Sequence, residues 1–311
     1  MLNGHIYRST CYVISTEGKR AIVTGSSGFI GSLLVEELHR QGVATVNLDK
    51  VTGFDIGDRN ELKRLMTGKN ARGRGIDYVF HLAVLPINPC DKDIRLCMET
   101  NAMGTLNVAE AAKTAGVKKI IYSSSSAVYG NMDDALIVDE TRPCNPNSMY
   151  SVSKLAGEII VKNSGVPYII LRYMNVYGLG QKSGLIPVLL QCVKDNVPPT
   201  IDGDGSQAFD FVHVKDIIQA NILAADSDVE NETFNIGGDN EITVSEVVRA
   251  VLDAAGSNLV PVHRPGDSKT RRVGSSAKAR KLLGYYPTVD FNTEIKEMVN
   301  EYIGKNEHTN H

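Results

Sequence analysis

The sequence predicts an α/β fold: a doubly wound parallel sheet of about seven strands with a smaller C-terminal domain. Three observations support this class. From Lys19 onward, short apolar segments rich in β-branched residues alternate with segments of helical periodicity, which is typical of βαβ units. The first of these strands runs into a glycine-rich turn that opens a helix. After Asn175 the alternation stops, and glycine and proline become frequent.

The predicted strands are short apolar segments bounded by turn residues. They cover residues 19–24, 43–48, a short segment just before Asp55, 77–83, 117–124, 166–173 and 233–236. The predicted helices carry apolar residues at helical spacing. They are a helix that follows the glycine turn and ends near Gly42, then 59–67, 93–115 and 148–164. A further helix begins at a capping box formed by Thr243 and Glu246.

The chain of 311 residues is long enough for about two domains. We expect residues 19–175 and 211–239 to form the larger domain around the sheet. Residues 176–210 and 240–311 would form the smaller domain. Residues 1–18 precede the first strand, and we interpret them as an N-terminal extension.

The composition is that of a globular protein, because 42% of the residues are hydrophobic and 22% are charged. The net charge of −3 argues against a nucleic-acid-binding protein, whose surface is usually basic. No segment approaches the ~18 consecutive apolar residues of a transmembrane helix, and the N-terminal segment lacks the apolar core of a signal peptide. We therefore expect a cytoplasmic protein that binds neither nucleic acid nor membranes.

Five cysteines, an odd number, are spread over the chain without a C-x-x-C pair. They are Cys11, Cys90, Cys97, Cys144 and Cys192. A structural zinc site needs ligands paired at short spacing, so we expect no metal site. We interpret the cysteines as reduced and scattered, as is usual in the cytosol.

Gly25, Gly28 and Gly31 lie between the first strand and the first helix. Glycines at this spacing let a pyrophosphate approach the backbone at the helix N-terminus, where free N–H groups favour an anion. Asp49 ends the second strand, where a carboxylate accepts hydrogen bonds from both hydroxyls of a ribose and repels a 2′-phosphate. The pattern predicts a Rossmann fold that prefers NAD over NADP, although the adjacent Lys50 could pair with a phosphate.

Tyr150 and Lys154 are four positions apart in a predicted helix and therefore share one face of it. An ammonium group beside a phenol lowers the pKa of the phenol, so the pair suits proton transfer. Four serines, residues 123–126, end the fifth predicted strand, at the sheet edge where doubly wound folds bind ligands. A serine hydroxyl there can donate a hydrogen bond to a substrate oxygen whose proton Tyr150 removes. Each pattern alone also occurs for structural reasons, but together they favour an active site.

With these residues, the sequence resembles the extended short-chain dehydrogenase/reductases, specifically the NAD-dependent nucleotide-sugar epimerase/dehydratase family. The first matching segments are TGSSGFIGS (24–32), FHLA (80–83), NAMGTLNV (101–108), YSSSSAVYG (122–130), YSVSK (150–154) and LRYMNVYG (171–178). The later ones are GDGSQAFDFVHVKDI (203–217), FNIGG (234–238), RPGD (264–267) and KARKLLGYYP (278–287). The similarity therefore covers nearly the whole chain after the N-terminal extension.

The resemblance implies that Ser125, Tyr150 and Lys154 are the catalytic residues and that Asn101 supports them. It also implies a larger set of residues in contact with NAD. This set is Gly25, Gly28, Phe29, Ile30, Gly31, Asp49, Lys50, Asp55, Ile56, Leu82, Ala83, Asn101, Ser123, Tyr150 and Lys154.

The implied substrate is a nucleotide sugar. The residues implied to bind it are Ser125, Tyr150, Asn175 and Arg264. Asn175 and Arg264 would contact its diphosphate. The resemblance further implies a homodimer, formed through the predicted helices 93–115 and 148–164.

The chain departs from the family pattern at three places. Members that eliminate water or decarboxylate usually carry an acidic residue just after the catalytic serine or threonine, where this chain has Ser126 and Ala127. Phe209 stands where the family usually has an arginine that contacts the diphosphate. Asp202 stands where an apolar or aromatic residue often packs against the nucleotide base. The sugar and the base therefore stay open.

These observations favour an NAD-dependent nucleotide-sugar 4-epimerase that acts through a transient 4-keto sugar. The alternatives within the family are a reductase, a decarboxylase and a dehydratase. An alternative from another class is a non-catalytic NAD-binding regulator, which would not need Ser125, Tyr150 and Lys154 together.

Overall fold

The structure, a computed structural model, describes residues 18–69, 73–131, 137–266 and 270–304, so nearly all of the N-terminal extension lies outside the described residues. Its strands are β1 (Arg20–Thr24), β2 (Ala44–Leu48), β3 (Tyr78–His81), β4 (Lys119–Ser125), β5 (Tyr168–Tyr173), β6 (Asn175–Tyr177), β7 (Thr200–Asp202), β8 (Ala208–Phe209), β9 (Phe211–His213), β10 (Glu232–Ile236), β11 (Ile242–Thr243), β12 (Val262–Arg264) and β13 (Arg271–Arg272). Its helices are α1 (Phe29–Arg40), α2 (Arg59–Thr67), α3 (Ile87–Lys92), α4 (Ile94–Met98), α5 (Gly104–Ala115), α6 (Met149–Lys162), α7 (Leu185–Lys194), α8 (Val214–Asp226), α9 (Val244–Ala254), α10 (Ala277–Leu283) and α11 (Phe291–Gly304).

Six parallel strands form the main sheet in the order β10-β5-β4-β3-β1-β2. In the sheet, Ile22 of β1 lies opposite Val46 of β2 and Val79 of β3. Helices cover both faces, so the predicted doubly wound α/β class is confirmed. The chain passes from one side of β1 to the other between β2 and β3. This reversal makes the crevice at the carboxyl ends of β1 and β3 the expected ligand site.

The main sheet has six strands instead of about seven, because the short strand predicted just before Asp55 is a 3-10 turn, Lys50–Thr52. The side chain of Asp49 accepts a hydrogen bond from the Val51 N–H at 2.9 Å. Gly53 ends the turn with a φ of 86°. The prediction is wrong here because a capped turn uses locally the backbone groups that a strand would pair.

The predicted helix 93–115 is continuous but has an irregular middle. α4 leads into a π-helical turn at Glu99–Met103, and α5 continues from that turn. Asn101 lies in the π turn and is buried. Such turns are frequent at functional sites, and the apolar periodicity of the sequence does not reveal them.

Three apolar clusters hold the elements together. One packs α1 and α8 against the main sheet, and a second packs α2, α5 and α6 against it. The third joins α7, α9 and α11 to Phe211 of β9. Helix α9 begins at the predicted capping box of Thr243 and Glu246. Apolar residues of α10 and Tyr285 pack in the first cluster, so part of the C-terminal segment supports the main sheet.

Cys90 and Cys97 are joined by a disulfide bond, with their Cα atoms 4.8 Å apart. The interpretation of the cysteines as reduced and scattered is therefore wrong for this pair. The short helices α3 and α4 fold back on each other and bring residues seven positions apart into contact, which sequence spacing does not show. Cys144 and Cys192 are free, and Cys11 lies outside the described residues.

Among the described residues, no helix combines the length and the apolar character needed to cross a membrane. In the same part of the chain, no three His, Cys, Asp or Glu side chains form a group that could hold a metal ion.

Candidate active site

The glycine-rich turn closes the space between β1 and α1. Gly25 has a φ of 70°, and a Cβ there would lie 2.7 Å from the Ala83 backbone nitrogen. A Cβ on Gly31 would overlap the carbonyl oxygen of Gly25. Helix α1 starts directly after Gly28, which provides no side-chain cap. The first N–H groups of this helix are therefore left for an anionic ligand.

Asp49 stands at the end of β2 and faces this turn. One carboxylate oxygen accepts the Ser27 N–H at 3.0 Å, and the other accepts the Val51 N–H. The remaining lone pairs of both oxygens can still accept bonds from hydroxyl groups. Lys50 forms an ion pair with Asp55 at 3.0 Å, so its charge is matched within the protein. This pairing favours a cofactor without a 2′-phosphate.

A cavity of about 390 Å³, which we call the cofactor cavity, lies at the carboxyl ends of β1 to β4 beside α6. It is lined by all the residues predicted to bind NAD except Asn101. These are Gly25, Gly28, Phe29, Ile30, Gly31, Asp49, Lys50, Asp55, Ile56, Leu82, Ala83, Ser123, Tyr150 and Lys154. Sequence analysis missed Leu48, Phe54, Val84, Pro86, Thr100, Ser124 and Tyr173, which complete the lining. Leu48 and Tyr173 end strands and Ser124 is next to the end of β4, so their position at the sheet edge was the available signal for these three.

Tyr150 and Ser125 lie together beside the cofactor cavity, in the wall of a neighbouring cavity. The Ser125 side chain lies near enough to the Tyr150 hydroxyl to lower its pKa, although the two residues lie on different elements, β4 and α6. Desolvation raises the pKa of Tyr150, and the nearby Ser125 hydroxyl opposes this effect. The phenol is therefore protonated at neutral pH in the protein by itself, and a nearby positive charge is needed to lower its pKa.

Lys154 lies one helical turn beyond Tyr150 and is 3% exposed. Its Nζ atom is 4.7 Å from the centre of the Tyr122 ring, in a cation–π arrangement. Burial lowers the pKa of Lys154 to about 7, and the negative charge of Glu158 opposes this shift. The ammonium form is thus costly here until an anion or a polarised hydroxyl comes near it.

A buried ion pair fixes the catalytic helix against the sheet, and sequence analysis missed it. Glu158 of α6 is 0% exposed and accepts two hydrogen bonds from Arg172 of β5, at 2.9 and 2.7 Å. Glu158 also accepts the Ser124 hydroxyl at 2.6 Å. These bonds tie α6, which carries Tyr150, to the strand end that carries Ser125. The signal that the sequence offered was an acidic residue one helical turn after Lys154.

Asn101 does not line the cofactor cavity but lies behind its wall. Its amide oxygen accepts the Leu85 N–H at 2.6 Å, and its Nδ2 atom donates to the Leu85 carbonyl at 3.1 Å. The same Nδ2 atom donates to the Ser153 hydroxyl of α6 at 2.9 Å. Asn101 thus links the loop after β3 to the catalytic helix, which is consistent with a supporting role.

A larger cavity of about 830 Å³, which we call the substrate cavity, adjoins the first one. Ser125, Tyr150 and Asn175 line it, as the substrate-binding prediction requires. The other lining residues are Val84, Pro86, Ile87, Asn88, Pro89, Ser126, Ala127, Met174, Val176, Tyr177, Gln181, Ser183, Gly184, Leu185, Ile186, Phe209, Phe211 and Arg272. Among the described residues that line this cavity, none is acidic and one, Arg272, is a permanent cation.

Arg264 lies apart from the residues that line the two cavities. It is on β12, its guanidinium forms an ion pair with Asp202 of β7, and its side chain is 63% exposed. Arg272 of β13 instead lies opposite Phe209 of β8, within the wall of the substrate cavity. The structure therefore places a different arginine beside the residue that departs from the family pattern.

The fold is a parallel sheet with a glycine turn at the point where the strand order reverses, and a Ser–Tyr–Lys group lies at the strand ends. This combination defines a dinucleotide-dependent protein of the short-chain dehydrogenase/reductase type. The residues present fit this cofactor, because glycines leave room where a Cβ would clash and Asp49 faces the turn. The model of the NAD dependent epimerase/dehydratase family matches residues 21–237. The chain belongs to this family, and its cofactor is NAD.

The relatives of this chain differ in their reactions. A putative UDP-glucose 4-epimerase of Methanocaldococcus jannaschii is 32% identical over 90% of this chain and 97% of its own length. A UDP-N-acetyl-alpha-D-glucosaminuronate decarboxylase of Bacillus cytotoxicus is 30% identical, again over 90% and 97%. The solved UDP-glucose 4-epimerase of Thermotoga maritima, a complex with UDP-glucose, has a TM-score of 0.83 at 28% identity and covers 93% of this chain and 99% of that one.

Proposed function

We propose that this protein is an NAD-dependent nucleotide-sugar 4-epimerase, similar to UDP-glucose 4-epimerases. The observation that carries the proposal is the absence of a carboxylate among the described residues of the substrate cavity, next to the Ser125–Tyr150 pair. Elimination of water needs a further acid to protonate the leaving hydroxyl. Ser126 and Ala127 provide none. Epimerisation at C4 needs only one group that removes a proton and returns it.

In this mechanism, Tyr150 accepts the proton of the sugar 4-hydroxyl and later returns it to the same oxygen. Ser125 donates a hydrogen bond to that oxygen and keeps it beside the phenol. Lys154 holds positive charge near the phenol, which favours the phenolate. When bound, NAD supplies a group that takes a hydride and gives it back. The substrate cavity gives the transient 4-keto sugar space to present its other face.

The nucleotide diphosphate has two candidate cations. The resemblance favours Arg264 together with Asn175, but Arg264 would have to leave Asp202 to reach the cavity. Arg272 already lies in the wall, which supports it as a phosphate ligand. Charge-assisted hydrogen bonds of this kind contribute roughly 1.5–3 kcal/mol each. The substitutions described in the Discussion distinguish the two.

We also propose the division of the chain into two domains. Residues 19–175 and 211–239 would hold the cofactor, and residues 176–210 and 240–311 would close over the substrate. The separate apolar cluster of α7, α9 and α11 supports a second domain. Helix α10 packs against the main sheet, which supports a contribution of its segment to the first domain.

The same proposal includes a homodimer. Met103, at the end of the π turn before α5, is 52% exposed, and Ile159 of α6 is 53% exposed. Large apolar side chains on neighbouring helices favour association with a second copy of the chain. Light scattering should give about twice the monomer mass of 33.8 kDa, and Ile159→Glu should lower it. A monomeric wild type would contradict this part.

The central test is product analysis. The purified protein is incubated with UDP-glucose, UDP-galactose and their N-acetylated forms, and the sugars are identified by NMR. We expect interconversion of 4-epimers without net formation of NADH. A stable 4-keto-6-deoxy sugar would identify a dehydratase, and released CO₂ from a uronic acid substrate would identify a decarboxylase. Stoichiometric NADH would identify a dehydrogenase.

A further inference from the structure

The Cys90–Cys97 disulfide lies inside the protein beside the two cavities. Both cysteines are 0% exposed. The bond joins α3 to α4, and the loop that leads into α3 borders both cavities through Val84 and Pro86. The disulfide therefore constrains a piece of wall that the cofactor and the substrate cavities share.

The sulfur atoms also contact residues that support the catalytic helix. The Nδ2 atom of Asn101 is 3.5 Å from the sulfur of Cys90 and 3.7 Å from that of Cys97. The sulfur of Cys97 is 3.7 Å from the hydroxyl of Ser153, which donates to the Tyr150 carbonyl at 2.7 Å. The disulfide is thus connected to the Tyr150 backbone through one residue, Ser153. Any change in the sulfur pair acts on the position of Asn101 and on the start of α6.

The same surroundings accommodate the reduced pair. The sulfur of Cys90 is 3.2 Å from the Leu85 carbonyl oxygen, and that of Cys97 is 3.9 Å from the Met149 carbonyl oxygen. A thiol at each position would have an acceptor for its S–H group. Neither oxidation state leaves a buried polar group without a partner at these two sulfurs.

We propose that Cys90 and Cys97 form a reversible thiol–disulfide site whose oxidised state holds the shared wall and tightens the binding of NAD. The reagent that the site takes is a dithiol, as a small molecule or on a protein. One thiolate of the dithiol attacks a cysteine sulfur and breaks the Cys90–Cys97 bond. Its second thiol then closes the disulfide of the reagent. Two electrons and two protons pass to Cys90 and Cys97, which become thiols, while the dithiol becomes a disulfide.

The dithiol reaches the buried bond through local opening of α3. This helix has only six residues, and Ile87 at its start is 47% exposed. Short helices have little stability of their own and belong to the parts of a protein that open first. Bound NAD would contact Val84 and Pro86 and so oppose the opening. Oxidation therefore tightens NAD binding, and bound NAD favours the disulfide. Thermodynamic linkage requires that both equilibrium constants change by the same factor.

The test uses the full-length protein and dithiothreitol as the dithiol. Protein purified in air without reductant is denatured and alkylated, and Cys90 and Cys97 should be protected unless they are first reduced. The dissociation constant of NAD should rise by about tenfold on reduction, within the usual range of coupling between sites. In mixtures of reduced and oxidised dithiothreitol, we measure the ratio of the two forms at which half of the protein carries the Cys90–Cys97 disulfide. Saturating NAD should shift this ratio by the same factor. None of these readouts depends on the proposed epimerase activity.

Variants separate this pair from the other cysteines. C90S/C97S should bind NAD like the reduced wild type and should not respond to dithiothreitol. C192S removes a free cysteine of α7 and should respond like the wild type. The proposal is overturned if the pair is reduced in air-purified protein, or if the redox state leaves NAD affinity unchanged. The wild-type titration decides this even when the double variant does not fold.

Discussion

The cofactor cavity and the substrate cavity meet at Tyr150, yet they are built differently. The cofactor cavity is formed largely at the carboxyl ends of four neighbouring parallel strands, so many of its residues end or directly follow regular elements. The substrate cavity has about twice the volume, 830 against 390 Å³. It takes its residues from α3, from the first turns of α6 and α7, from loops and from short strand pairs such as β8–β13 and β6–β9.

Sequence motifs are therefore more informative for the cofactor cavity than for the substrate cavity. At the edge of the parallel sheet, the backbone geometry requires glycine at position 31 and favours a carboxylate at position 49. Gly31 and Asp49 can therefore be recognised from the sequence. In the substrate cavity, strand pairing decides which residue faces inward. Arg272 lies in the wall because β13 pairs with β8, while its neighbour Arg271 pairs with Glu241.

The largest effect is expected at the junction of the two cavities. Tyr150→Phe should lower kcat by a factor of at least ~100, the usual contribution of a positioned proton-transfer group. The ring still packs, so NAD binding and the melting temperature should change little. Tyr177→Phe removes a hydroxyl from the wall of the substrate cavity and serves as the matched control. If both variants lose the same activity, Tyr150 has no special role.

The next effect concerns the substrate cavity alone. Arg272→Ala should raise the KM for the nucleotide sugar by at least about tenfold, since a charge-assisted bond contributes roughly 1.5–3 kcal/mol and about 1.4 kcal/mol is a factor of ten. The control is Arg271→Ala, in which the lost guanidinium binds Glu241. A large effect of Arg264→Ala with none at Arg272 would show that Arg264 leaves Asp202 on binding. No effect at any of the three would argue against a diphosphate substrate.

A smaller effect is expected in the cofactor cavity alone. Asp49→Asn removes the negative charge that opposes a 2′-phosphate, so the ratio of NAD to NADP affinity should fall by about tenfold. Asn keeps one oxygen as an acceptor for the turn. Asp58→Asn removes the same charge from the N-cap of α2, and Asp58 is not among the residues that line the cofactor cavity; this variant should leave the ratio unchanged. Equal affinities in the wild type would refute the role of Asp49.

The last effect, on stability and not on activity, is the dependence of the free energy of unfolding on pH in the cofactor-free protein. Burial lowers the pKa of Lys154 to about 7 from its ordinary value of 10.5. Between these values the unfolded chain binds a proton that the folded protein does not, so this residue makes stability rise with pH. The slope is at most about 1.4 kcal/mol per pH unit. Urea titrations from pH 7 to 10 should show a smaller slope in Lys154→Met, whereas Lys162→Met is the control on the same helix.

Much of the fold and of the cofactor cavity could be predicted from the sequence. Six of the seven predicted strands form the main sheet, and the residues expected to bind NAD lie together apart from Asn101. The sequence could not show whether the segment before Asp55 is a strand or a turn, because a capped turn and an edge strand carry similar residues. The supporting bonds of Glu158 were equally hidden, since their partners Ser124 and Arg172 lie on other elements.

Sequence alone predicts the α/β class, the glycine turn and the Tyr150–Lys154 pair, because local backbone geometry and helical spacing act over a few residues. Which distant residues meet depends on the folded structure. It brought Cys90 to Cys97 through the packing of two short helices, and it placed Arg272 in the substrate cavity. These contacts depend on how whole helices and strands pack against one another, and no short segment of the chain encodes that packing.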